Sequence, residues 1–151
     1  MFSEQDNHWM QQAILLAQKA ASIDEVPVGA IVVSGEQIIG SGYNQPITSN
    51  DPSAHAEMIA LRSAAQRIQN YRLVGATMYV TLEPCMMCAG AMVHARIKRL
   101  VFGAADPKTG VITSQSRLLD QTFLNHRVTY EGGLLADECG GLLREFFQRK
   151  R

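Results

Sequence analysis

Cys85 and Cys88 stand three residues apart in the run Thr81-Leu82-Glu83-Pro84-Cys85-Met86-Met87-Cys88-Ala89-Gly90-Ala91-Met92. Proline suits the first turn of a helix, where its missing N–H has no partner to lose. The run therefore predicts a helix from Pro84 to Ala95, with both sulfurs on one face of its opening turn. A helix N-terminus carries partial positive charge and favours thiolates, the form of cysteine that binds metal. Two thiolates are too few for zinc, which takes three or four protein ligands. His55, in Ala54-His55-Ala56-Glu57, is the candidate third.

Glu57 lies two residues from His55, so in a regular helix the two side chains diverge by roughly 200°. They serve one centre only if it sits off the N-terminal end of that helix, and Ala54 to Glu57 opens a helix predicted to end near Gln66. His55 is therefore read as a ligand and Glu57 as a nearby carboxylate that does not bind the metal. Three protein ligands and one free position form the pattern of a catalytic zinc. Such a zinc lowers the pKa of bound water to about 7. A carboxylate that moves that water's proton typically adds a factor of about 10² to 10⁴.

Other readings compete. Cys-x-x-Cys alone is as often structural or redox-active, although a structural zinc wants a fourth Cys or His at matching spacing. Cys139 stands alone in the last helix and reads as a small buried hydrophobe. His94 falls about 240° round its helix from Cys88, and His8 and His126 have no paired ligand spacing. Glu83 rivals Glu57 as the base, but an acid just before a helix by default complements the helix dipole.

The elements that must position these groups follow from periodicity. Trp9, Met10, Ala13, Leu16, Ala17 and Ala20 recur at helical spacing over Asp6 to Ser22, with Ser3 or Asp6 as cap. Ala30–Val33 and Gln37–Gly42 read as strands around Ser34-Gly35-Glu36, a hairpin. Tyr43 to Ser53 is a loop. Thr77–Val80 and Leu100–Gly103 are strands flanking the cysteine helix, which implies parallel pairing in that half of the sheet. Ala104 to Gln115 is a long loop, of the kind that often carries function. Val128–Tyr130 is a short strand, and Leu134–Arg149 a closing helix with Leu135, Leu142, Leu143, Phe146 and Phe147 as its apolar stripe. The result is an α/β fold with one central mixed sheet and helices on both faces.

At 151 residues the chain fits a single domain, 1–151, with a core that needs no staples. No stretch is long and apolar enough to span a membrane, and Met1 to Asn7 is too polar for a signal peptide. Three cysteines suit a reducing compartment and a metal better than a disulfide framework, which points to the cytoplasm. A net charge of zero argues mildly against nonspecific nucleic-acid binding while leaving room for a local basic patch.

His-Ala-Glu followed by Pro-Cys-Met-Met-Cys resembles the zinc-dependent nucleobase deaminase signature. Glu25 to Ala30, Asn44, Asn70 to Leu73, Thr81 to Met92 and Phe102 to Ala104 narrow the likeness. So do Asp106, Lys108 to Gly110, Asn125 to Val128 and Gly133 to Cys139. Over nearly the whole chain these blocks are similar to the bacterial tRNA-specific adenosine deaminases. The resemblance implies a three-layer α/β/α cytidine-deaminase-like fold, a homodimer, and conversion of adenosine to inosine at the first anticodon position of an arginine tRNA. It also implies that His55, Cys85 and Cys88 bind one Zn²⁺ per subunit and that Glu57 shuttles protons. Asn44 and the backbone around Val28 and Ala56 then hold the nucleoside, Asp106 contacts its ribose, and Phe147 shapes the nucleotide cleft. The chain departs from the pattern at Pro107, inside the Asp106 loop, and in a short tail, Gln148 to Arg151.

The target base must leave its stack, which costs least in a single-stranded loop. Arg72, Arg96, Lys98, Arg99, Arg144 and the tail Arg149-Lys150-Arg151 are the candidate phosphate contacts. A deaminase of free bases or nucleotides, of guanine or cytosine type, shares the same zinc motif and is the nearest rival. A non-catalytic zinc-stabilised interaction module is the second, and Glu57 argues against it, since a structural site has no use for an acid beside an open position.

Overall fold

The computed structural model describes residues 1–151. Helix α1 (Glu4–Ser22) begins at a capping box: the Asp6 N–H donates to the Ser3 hydroxyl at 3.0 Å and the Ser3 N–H to the Asp6 carboxylate at 3.0 Å. Ser3 is thus the cap, and Asp6 closes the box three residues on. Strands β1 (Gly29–Ser34) and β2 (Gln37–Tyr43) form the expected hairpin, with Gly35 at φ +61° in its turn. Then come α2 (Ala56–Ile68), β3 (Thr77–Leu82), α3 (Met86–His94), β4 (Arg99–Ala104), a single 3-10 turn at Leu118–Asp120, β5 (Thr129–Gly132) and α4 (Ala136–Arg149).

The five strands lie in the order β2-β1-β3-β4-β5. The first three pair antiparallel, and β3, β4 and β5 run parallel. Alternation along the strands splits the core in two. Ala30, Val32, Met78, Val80, Leu100 and Phe102 face α2 and α3. Ile31, Val33, Tyr79 and Val101 face α1 and α4, where Trp9, Met10, Ala13 and Ile14 meet Leu134 and Cys139. Both faces of the central strands are therefore buried, and the three-layer α/β/α arrangement with one mixed sheet is the one expected.

Several boundaries differ from the sequence reading, each for a local reason. Pro84 is not in the first turn of α3; it precedes the N-cap, Cys85, which is extended (φ −82°, ψ 176°). The Pro84 carbonyl instead accepts the N–H of Val111 at 3.1 Å, so the segment is held in an extended pairing with the later loop. His55 likewise caps α2, and Ala54 lies outside the helix. Strand β5 starts one residue late and reaches Gly132, because its register with β4 runs from Arg99↔Thr129 to Phe102↔Gly132. Helix α4 starts only at Ala136, since Gly133 (φ +101°) and Leu135 (φ +52°) are left-handed.

Candidate metal centre and its cavity

The carboxyl end of β3 and the N-termini of α2 and α3 converge on one point. Close approach of α2 to the sheet requires Gly42, where an added Cβ would lie 2.5 Å from the Ala56 carbonyl oxygen. With both helix starts so placed, His55 Nδ1 lies 3.6 Å from Cys85 Sγ and 3.5 Å from Cys88 Sγ, and the three donor atoms sit within 4.8 Å of one another. Tetrahedral bonds of about 2.0–2.1 Å to nitrogen and about 2.3 Å to sulfur place such atoms about 3.5 Å apart. The histidine and both cysteines fit zinc on donor chemistry and on spacing alike, through Nδ1 of the imidazole. Cys85 belongs to the N-cap and Cys88 to the first turn, so the two sulfurs share a side of the helix start rather than a turn of helix.

Charge is arranged to suit a cation. The Cys85 thiol is pushed down to about 4, chiefly by the hydrogen bond from the Cys88 thiol and also by His55. The Cys88 thiol is pushed up by that same hydrogen bond and by burial. The opposite directions have one cause, the contact between the two sulfurs, which favours the first thiolate on Cys85. His55 is shifted upward, first by its hydrogen bond with Cys85.

Glu57 is 4 % exposed, in the first turn of α2, and burial lifts its carboxyl to about 7. It lines a cavity of ≈ 240 Å³ together with His55, Cys85, Val28, Asn44 and Asp106. Two of the three candidate metal ligands, His55 and Cys85, and the expected carboxylate thus share one concavity with three of the residues expected to hold substrate, while Cys88 is buried behind it. Asn44 is oriented by its backbone neighbour: its Oδ1 accepts the Ala56 N–H at 2.8 Å, which leaves its amide NH₂ as the donor it can offer. Ala56 is fully buried, and its N–H is spent on that bond. Phe147 is half-exposed and lines an adjoining cleft of ≈ 610 Å³ with Arg144, Pro107 and Lys108; the two spaces share Val26, Leu82, Asp106 and Thr109.

Two carboxylates have roles the sequence did not announce. Glu83 is 2 % exposed, and both its oxygens accept from the loop after β4, so it neither caps α3 nor serves as a free base. Glu25 is 1 % exposed and accepts the N–H and hydroxyl of Thr48, both at 2.7 Å, fixing the loop that leads from Asn44 to His55. An acid inside an otherwise apolar stretch, as in Thr81-Leu82-Glu83-Pro84, was the only available signal. Arg99, expected among phosphate contacts, is instead committed to Asp6 at 2.8 Å and Glu131 at 2.9 Å. Arg96 donates to the Val93 carbonyl at 3.0 Å.

The family profile described as MafB19-like deaminase matches residues 4–151. A tRNA-specific adenosine deaminase of Haemophilus influenzae is 53% identical over 150 residues, which is 99% of this chain and 87% of that one. Another protein of the same description, from Bacillus subtilis, is 44% identical over 147 residues, covering 97% and 91%. A solved structure from studies of A-to-I editing by tRNA:A34 deaminases at the wobble position of transfer RNA superimposes with a TM-score of 0.87. It is 41% identical and covers 90% of this chain and 99% of its own.

Proposed function

The chain belongs to the tRNA-specific adenosine deaminases, within the MafB19-like deaminase family, and we propose that it converts adenosine to inosine at the wobble position of an arginine tRNA. It is an enzyme that deaminates adenosine in tRNA. The observation that supports the catalytic part of this reading is the cavity in which Glu57 stands beside the His55 and Cys85 ligand positions, with Asn44 and Asp106 in its walls; the arginine tRNA rests on the sequence resemblance.

In this reading His55, Cys85 and Cys88 hold one zinc per subunit. Zinc in such a set supplies Lewis acidity, which makes a hydroxide nucleophile available near neutral pH. Glu57 supplies the proton traffic. Its buried carboxylate takes a proton from the attacking water and gives it to a ring nitrogen of adenine as carbon 6 is attacked, then takes the proton of the new carbon-6 hydroxyl and gives it to the departing amine. Water and adenosine then leave as inosine and ammonia. Asn44, its oxygen engaged by Ala56, presents its NH₂ to an acceptor on the purine. Asp106 already accepts the Thr109 hydroxyl at 2.8 Å, which steadies its carboxylate in the wall that receives the ribose. Phe147 and Arg144, in the adjoining cleft, suit the aromatic face and phosphate of a neighbouring nucleotide.

The wider reading is a single catalytic domain over 1–151, a homodimer and a cytoplasmic location. The dimer is supported by Met86 and Met87, which are exposed on α3 beside the ligand cysteines while Met92 is buried. Sedimentation as a monomer at micromolar concentration would remove it. No helix is long and apolar enough to cross a membrane.

The decisive experiment offers the zinc-loaded protein an arginine-tRNA anticodon stem-loop alongside free adenosine, guanine and cytosine, with products read by mass spectrometry. Inosine in the stem-loop alone is expected. Turnover of guanine or cytosine with the stem-loop untouched would transfer the assignment to a free-base deaminase.

A further inference from the structure

Glu83 occupies an unusual position. It ends the chain's passage from β3 and stands two residues before Cys85, yet its carboxylate turns to the loop that follows β4. Oε1 accepts the Asp106 N–H at 3.0 Å and the Ser114 hydroxyl at 2.5 Å. Oε2 accepts the N–H groups of Ile112 at 3.0 Å, Thr113 at 2.8 Å and Ser114 at 3.0 Å. One buried carboxylate thus satisfies five donors from a segment that has no helix or strand of its own between Ala104 and Leu118. The fit is close: a Cβ added at Gly110 would lie 2.4 Å from Glu83 Cδ. That same segment supplies Asp106 and Thr109 to the walls of both the Glu57 cavity and the Phe147 cleft.

We propose that Glu83 is a positioning residue for the deamination, a rigid tie that sets the Asp106–Ser114 loop at a fixed distance from the metal-binding end of β3. The inference rests on the functional reading above. Its physical basis is the absence of any substitute. A carboxylate offers acceptors on both oxygens, whereas a glutamine turns one of them into an NH₂ that faces N–H donors. If the NH₂ takes the Oε1 side it repels the Asp106 N–H; on the Oε2 side it repels three consecutive amides. Either way the loop is released at one end while volume and packing stay the same. Glu83 also lines the Glu57 cavity, but both its oxygens are spent on the loop, so its loss acts through where Asp106 and Thr109 stand.

The test compares the zinc-loaded wild type with Glu83→Gln by three readouts: zinc content, hydrogen exchange of the Ile112, Thr113 and Ser114 amides, and the separate kcat and KM for the stem-loop. Zinc retained, loop amides exchanging at least tenfold faster, and KM raised at least tenfold with kcat within about threefold support the proposal. Unchanged exchange and KM overturn it. A hundredfold fall in kcat at constant KM also overturns it, since that is the mark of a general acid–base group. If Glu83→Gln does not fold, Gly110→Ala replaces it, pressing a methyl against the same carboxyl while every acceptor remains. A raised KM with zinc retained supports the tie, and an unaltered KM refutes it. A wild type that forms no inosine in the stem-loop while these amides still loosen in the variant would instead count against the substrate reading.

Discussion

Asn44 and Ala56 are joined by a 2.8 Å hydrogen bond from the Ala56 N–H to Asn44 Oδ1, and Ala56 is the residue between the ligand position His55 and Glu57. The bond gives α2 the side-chain cap that His55 itself does not supply. It also engages the oxygen of the Asn44 amide and leaves its NH₂ as the free end in the cavity wall.

Asn44→Asp keeps an acceptor for Ala56 and replaces the NH₂ donor with a second carboxylate oxygen, which also brings a negative charge into the Glu57 cavity. It is expected to fold and bind zinc normally while the KM for the stem-loop rises about tenfold, in keeping with one lost hydrogen bond at about 1–1.5 kcal/mol. Asn44→Ala also strands the buried Ala56 N–H, so its thermal midpoint should fall where that of Asn44→Asp does not. Equal midpoints for the two variants would show that the Ala56 bond does not stabilise the start of α2.

Glu57→Ala should retain zinc and lose inosine formation by at least about a hundredfold, the low end for a general acid–base group. Cys85→Ala should lose the metal and with it part of the stability of the helix start. Zinc content by mass spectrometry, measured beside activity, separates the two. A metal-free Glu57→Ala would make the carboxylate a ligand.

The cysteines differ in access. Cys85 is half-buried and opens onto the cavity, whereas Cys88 and Cys139 are buried, and burial pushes the Cys139 thiol up to about 12. Removal of zinc by a chelator should let iodoacetamide modify Cys85 first, with Cys139 unmodified until the chain unfolds. Peptide mapping checks this. Early labelling of Cys139 would mean that α4 opens from the sheet far more readily than its packing against Gly103 allows.

The grouping of His55, Cys85 and Cys88 was legible because metal chemistry demands fixed residue types near helix starts, and the strands because both periodicity and the crossover helix marked them. The starts of α2, α3 and α4 were each placed two residues early, and that of α1 two residues late. Proline next to Cys85 suggested a first turn, but a long-range bond, Val111 N–H to the Pro84 carbonyl, held that residue outside the helix. Glu83 and Glu25 were misjudged or missed for the same reason. Their donors lie 22 to 31 residues away in sequence, in loops whose composition says only that they turn. Local sequence reports local partners; a buried carboxylate that organises a distant loop leaves no periodic trace. Arg99 shows the converse, a surface-type residue whose charge is already spent inside the fold.

That expenditure gives the last prediction. Asp6 is 5 % exposed and accepts from Arg99 (2.8 and 3.1 Å), Tyr79 (2.7 Å) and the Ser3 N–H (3.0 Å), joining α1 to β3 and β4. The Arg99 hydrogen bonds, above all, hold its carboxyl well below the usual range, against the opposing effect of burial. A depressed folded-state pKa adds stability above the unfolded value of about 3.9, and that stability is lost as pH falls below it. Arg99→Ala removes the strongest partner and leaves a buried carboxylate under-satisfied. Breaking a fully buried pair costs about 3–5 kcal/mol, and the partial exposure of Arg99 reduces the expected loss to about 2–3 kcal/mol near neutral pH. In urea titrations from pH 7 to pH 2.5, the gap between wild type and Arg99→Ala should be widest above about pH 4 and narrow below it. A gap that stayed constant with pH would show that Arg99 stabilises the fold through the packing of its stem and not through the charge on Asp6.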